Sequence, residues 1–141
     1  MRFNLEEMRH FLHEQVPFHK LVPFELEAVE PGFALVKLTF FEELIGNPWR
    51  PSIHGGVIAT LMDVAAGAAV FSVMEPEDLL STIDMRVDYL APGTRSTLYC
   101  EARVLKSGKQ VVTVNTRVHQ GDPEQPIADG RVVYNVRRKA G

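Results

Sequence analysis

His54-Gly55-Gly56-Val57-Ile58-Ala59-Thr60-Leu61-Met62-Asp63 opens an apolar segment that continues to Val73 and carries one charged side chain, Asp63. Its length and composition predict a helix from about Gly55 to Val73, closed off by Pro76. The segment is apolar nearly all round, so the helix should be enclosed by other elements and not merely rest on a surface. Glycines at a helix start let another group approach N–H donors that no intrahelical carbonyl satisfies. Such a terminus carries partial positive charge and suits an oxyanion or a polarised carbonyl. A lone aspartate among apolar neighbours is costly to bury unless it is partnered or used. Together these features point to chemistry at a carbonyl group.

The flanking sequence supplies what would enclose the helix. Strand-like runs precede it at Leu26 to Val29 and Phe33 to Phe41, divided by a Pro31-Gly32 turn. Four more follow: Thr82 to Leu90, Thr97 to Leu105, Gln110 to His119 and Gly130 to Arg137. Pro92-Gly93, Ser107-Gly108 and Gly121-Asp122-Pro123 separate them with turn chemistry. Short connections imply an antiparallel sheet. The predicted architecture is α+β, a curved antiparallel sheet wrapped around one long helix. Residues 4–14 read as a short amphipathic helix, capped by Asn4, with Leu5, Met8, Phe11 and Leu12 on one stripe. This N-terminal helical segment, residues 1–20, belongs to a single domain spanning 1–141.

Composition narrows the function classes. A chain of 141 residues, 45% of them hydrophobic, can bury a real core. A formal charge of -3 disfavours nucleic acid as a general partner. Asp63 and the small residues between Val57 and Val73 argue for a buried helix and against a membrane span. The first residues, Met1 to Glu7, hold no apolar core of a secretory signal. With one cysteine, Cys100, no intrachain disulfide is available, and the expected compartment is the cytoplasm. Cys100 alternates with Leu98 and Ala102 and reads as a buried small residue. His10 and His13 share a helix face without a third ligand, so no metal is expected. No Gly-x-Ser-x-Gly elbow supports a serine nucleophile.

Helical spacing places Gly56, Thr60, Asp63 and Gly67 on one stripe, a narrow track of small residues with one acid. The track suits a ligand, and it equally suits close helix packing. Eight residues separate Gly55 from Asp63, about 12 Å along the axis. Reacting groups must come within about 3–3.5 Å. Within one chain, then, the helix start and Asp63 cannot serve the same small carbonyl. Two antiparallel helices about a two-fold axis would bring the start of one to Asp63 of the other, giving two equivalent sites per dimer.

The pattern Asn47…His54-Gly55-Gly56…Asp63 resembles that of the hotdog-fold acyl-CoA thioesterases of the phenylacetic-acid-degradation (PaaI-like) type. Ser81 to Gly93 resembles that family's strand after the helix, and Val104 to Val112 its glycine-containing hairpin. The resemblance implies Asp63 as catalytic carboxylate, acting as general base or nucleophile, with the Gly55 N–H polarising the thioester oxygen. It further implies help from Asn47, a hydroxyl at Thr82 that orients the acid, and His54 buttressing the turn. Coenzyme A would enter as part of the substrate, with no separate cofactor. The site would lie at a homodimer interface, in a dimer of dimers.

A thiol with a pKa of about 8.5 leaves readily, so such a reaction needs an activated oxygen and oxyanion stabilisation, not a strong acid. Gly56 and Gly67 would border the substrate. Trp49, with Phe40 and Phe41, is a candidate acyl-pocket lining, against the alternative of plain packing. Arg103, Lys106 and Lys109 are candidates for the coenzyme A phosphates, against that of solvated turn charges. Asp84, Arg86 and Asp88 alternate on one strand face as surface or interface pairs. Two other readings stay open: a hotdog hydratase or dehydratase with His54 and Asp63 sharing proton transfer, and a non-catalytic acyl-CoA-binding module.

Overall fold

Alternation of side chains builds the sheet. The computed structural model describes residues 3–139. In it Ala34, Val36 and Leu38 of β2 (Phe33–Leu38) point inward, as do Leu98, Cys100 and Ala102 of β4 (Leu98–Ser107). Val112, Val114, Thr116 and Val118 of β5 (Val111–His119) continue that inner face, with Val132, Tyr134 and Val136 of β6 (Ala128–Arg137). With β1 (Glu25–Glu30) and β3 (Leu79–Tyr89) the strands form one six-stranded sheet in the order β1-β2-β4-β5-β6-β3. All neighbouring pairs are antiparallel. The crossover between β2 and β3 is the long helix α2 (Gly55–Phe71), which packs across the inner face on β2, β4 and β5. This is the α+β hotdog arrangement expected from the sequence. Among the described residues no helix is long and apolar enough to cross a membrane.

Small residues set how closely α2 seats. Ala34, Ala102, Thr116 and Gly130 pair in register and cross four strands as one row. A side chain at Gly130 would run into the Arg86 carbonyl and come within 3.0 Å of Met62 on α2. Leu61, Met62, Ala65, Ala66, Ala69 and Val70 fill the interface, each fully buried.

The observed boundaries differ from the expected ones in physical detail. α2 ends at Phe71, two residues early, where Ser72 turns its hydroxyl back to the Ala69 carbonyl at 2.6 Å. β2 stops at Leu38 and not Phe41, because the chain turns off into a 3-10 turn at Glu42–Leu44. β3 starts at Leu79 rather than Thr82 and bulges at Ile83, between the Thr82–Tyr134 and Asp84–Val133 pairs. Beyond the bulge Arg86 and Asp88 form an exposed pair at 3.4 Å. Enclosure of α2 is incomplete within one chain: Thr60, Asp63 and Gly67 stay partly accessible and Gly56 is exposed.

The two edges of the sheet are finished differently. Asn4 and Glu7 form a reciprocal capping box that starts α1 (Leu5–His10), which passes into a π-helical turn at Phe11–Gln15 and a 3-10 turn at Pro17–Lys20. From this segment Arg9 donates to the carbonyls of Leu26 (2.7 Å) and Glu27 (3.3 Å), and His13 Nε2 accepts the Leu26 N–H at 3.1 Å. The β1 edge is thereby covered. The β3 edge, 11 residues long, is open, with Leu79, Ile83, Tyr89 and Leu90 each more than half exposed.

Candidate active site

The helix start is arranged so that one donor is left over. His54 caps α2, and its Nδ1 accepts the Gly56 N–H at 2.8 Å. The His54 carbonyl takes the N–H groups of Val57 (2.9 Å) and Ile58 (3.4 Å). Among the described residues, Gly55 N–H then has no protein acceptor. His54 is held by its own N–H, which donates to the Leu44 carbonyl at 2.8 Å. Gly46 permits this, since a Cβ there would sit 2.8 Å from His54 Cα. Tyr89 flanks the turn and donates its hydroxyl to the Gly55 carbonyl at 2.8 Å.

Asp63, two turns further along α2, is partly accessible and tied down on one oxygen. Thr82 Oγ1 donates to its Oδ1 at 2.9 Å. Tyr134 Oη lies 2.8 Å from the same Oδ1 and 2.6 Å from the Asp63 main-chain carbonyl. Thr82 and Tyr134 are direct cross-strand partners, so the pairing of β3 with β6 delivers both hydroxyls to one atom. Burial and the adjacent Asp63 carboxylate push the Tyr134 phenol far above the usual tyrosine range, so it stays a donor at any working pH. Oδ2 has no hydrogen-bond partner among the described residues.

Beside the carboxylate opens an apolar cavity of about 230 Å³. Asp63, Val64, Gly67, Ala68 and Phe71 of α2 form its floor, and Leu80, Thr82 and Tyr134 line the sheet side. Met8, Phe11, Leu12, Val16 and His19 of the N-terminal segment line the rest. Gly67 keeps this space open, because a Cβ there would stand 3.5 Å from Tyr134 Oη.

Of the residues singled out from sequence, the fold brings Asp63, Thr82 and Gly67 together at the cavity, and Gly55, Gly56 and His54 at the helix start. The others lie elsewhere in the chain. Asn47 is exposed and its Oδ1 accepts from Trp49 (3.0 Å) and Arg50 (3.2 Å), shaping its own loop. Trp49 is 89% exposed and, like Phe40 and Phe41, does not line the cavity; the aromatic walls come from Phe11 and Phe71. Arg103 lies on the outer face of the sheet with its guanidinium 4.4 Å over Phe33, and Lys106 and Lys109 are exposed at the β4–β5 hairpin. Cys100 is fully buried, and burial raises its thiol well above the usual range, which suits packing and not nucleophilic attack.

Sequence reasoning missed two parts of the site. Tyr134 stands on the inner face between Val132 and Val136, and a tyrosine hydroxyl in an apolar alternation is itself a sign of a buried partner. The contribution of the N-terminal segment had no sequence signal beyond its apolar stripe.

Comparison with known proteins defines the class. A Thioesterase superfamily model matches residues 51–127, the part that carries the helix start, Asp63 and β3. The medium/long-chain acyl-CoA thioesterase YigI of Salmonella typhimurium is 34% identical over 135 residues, covering 86% of each chain. Its Escherichia coli K12 counterpart is 33% identical over the same span. A Shewanella oneidensis crystal structure related to the thioesterase superfamily superposes with a TM-score of 0.81 at 29% identity, covering 93% of this chain and 94% of that one. A Haemophilus influenzae thioesterase shares the fold at 14% identity, with a TM-score of 0.86 and coverage of 100% and 95%. The fold and these matches define a thioester-hydrolysing enzyme. This chain belongs to the Thioesterase superfamily.

Proposed function

We propose that the protein hydrolyses an acyl-CoA to a free carboxylic acid and coenzyme A, with Asp63 as the acting carboxylate. The observation that carries this reading is the asymmetry of that carboxylate: Oδ1 is engaged by two hydroxyls, and Oδ2 is left free beside an apolar cavity. Oδ2 is therefore the reacting oxygen. It either takes a proton from water as the water oxygen attacks the thioester carbon, or attacks that carbon itself to form an anhydride that water then opens. In both routes the C–S bond breaks and coenzyme A departs as a thiolate, which needs no strong acid. The spare Gly55 N–H would receive the oxyanion.

His54 supports hydrolysis over hydration. Its Nδ1 is engaged by the Gly56 N–H and fixes the helix start, a structural task that leaves it poorly placed to shuttle protons. A module that only binds would gain nothing from an unpaired carboxylate oxygen at the cavity. Arg103, Lys106 and Lys109 receive no part in this chemistry. The acyl group is medium to long, as the names of the YigI relatives suggest.

The site is completed by a second copy. The helix start and Asp63 stand about 12 Å apart along α2, too far to share one carbonyl. The open β3 edge with its exposed Leu79 and Ile83 lies next to the accessible stripe of α2 and offers the pairing surface. Sedimentation should give at least twice the 15.8 kDa chain mass, and an active monomer would refute this arrangement.

Release of free thiol from a series of acyl-CoAs tests the activity, and binding without thiol release would contradict it. Tyr134→Phe separates orientation of the carboxylate from binding. A hydrogen bond to a charged group contributes about 1.5–3 kcal/mol, enough for a loss in kcat on the order of tenfold. KM and thermal midpoint should change little. A raised KM with unchanged kcat would instead mean that Tyr134 serves the cavity wall.

A further inference from the structure

We propose that the N-terminal segment from Met8 to His19 measures the acyl chain, with the stacked rings of Phe11 and Phe71 as its stop. This inference rests on the thioesterase reading for its occupant and on the cavity alone for its geometry. The floor of the cavity runs along α2 from Asp63 to Phe71, eight residues or about 12 Å. At the reacting end stands a carboxylate; at the other, Phe11 lies flat against Phe71 with ring centroids 5.2 Å apart and planes 9° from parallel. A tail whose carbonyl carbon meets Oδ2 has this floor to follow. The volume of about 230 Å³ holds roughly eight methylene-sized groups, taking each as near the 30 Å³ of a water molecule.

The wall is tied in place by groups other than those that face the cavity. Arg9 and His13 fasten the segment to the β1 backbone, and His19 Nδ1 meets the Leu12 carbonyl at 2.9 Å. Phe11 and Val16 are thus free to differ in size without loosening the attachment. The helix also widens into its π-helical turn from Phe11 onward, where the segment meets the cavity. Asp63, Thr82 and Tyr134 lie outside the segment, so chain length and chemistry are set by separate parts of the sequence.

The test compares the full-length native protein with Phe11→Ala, Val16→Phe and Phe18→Ala. Two profiles are measured over C4 to C16: kcat/KM for the acyl-CoAs, and Kd for the matching free carboxylic acids by calorimetry. Native preference should peak near eight carbons. Phe11→Ala should raise the C12-to-C8 ratio on the order of tenfold, as expected for burying a further pair of methylenes. Val16→Phe should move the peak to shorter chains. Phe18, on the same segment but outside the cavity lining, should leave both profiles unchanged when truncated. If neither profile moves in Phe11→Ala or Val16→Phe, the measuring role is overturned. If no acyl-CoA is hydrolysed but the carboxylate profile still shifts, the segment's role stands and the thioesterase reading falls.

Discussion

Asp63→Asn is expected to lower thioester turnover by about 10²–10⁴-fold, the range spanned by loss of a positioned general base. Asparagine is the informative replacement because its side-chain oxygen can still accept from Thr82 and Tyr134 as Oδ1 does now. The cavity should keep its shape, and acyl-CoA binding should persist while thiol release stops. The reaction can be followed with a chromophoric thiol reagent, beside a melting curve. Equal loss of turnover and of thermal stability would make Asp63 a structural acid. Full activity in the variant would remove it from the chemistry altogether.

Gly55→Pro should cost about 10²–10³ in kcat, the usual consequence of losing one oxyanion donor. Proline deletes the N–H that the helix start leaves without an acceptor, and it does so at the first helical position, where helices accept proline most readily. The preceding His54 has ψ 131°, the extended geometry that a following proline requires. Any Cβ at this position meets the Tyr89 ring at 3.3 Å, so Gly55→Ala carries the same steric cost while keeping the donor. The ratio of the two variants' kcat values isolates the N–H. Equal rates in both would exclude that donor from the reaction.

The sequence made the scaffold legible because its signals are local. One apolar run between glycine and proline punctuation marks α2, and Pro-Gly and Ser-Gly pairs mark the strand ends. Asp63 and Gly55 stood out for the same reason, an acid and a glycine pair where an apolar pattern predicts neither. Tyr134 did not, since its partner Asp63 lies 71 residues away and the two meet only through the β3–β6 pairing. The acyl-side wall was hidden likewise: Phe11 and Phe71 come together only once the segment has docked on β1. Trp49 misled because aromatic character signals burial, while its loop is shaped by the Asn47 turn and leaves the indole in solvent. The start of β3 was misjudged because Leu79-Leu80-Ser81 shows no alternation, and the bulge at Ile83 breaks the period again.

The unequal edges of the sheet carry a consequence for growth. A sheet with two bare edges can add copies without end, and that route leads to fibres. Here Arg9 and His13 occupy backbone groups of β1, so a newcomer finds only β3 to join. When two copies join there, each uses up the other's sole opening, and edge-to-edge addition terminates at a pair.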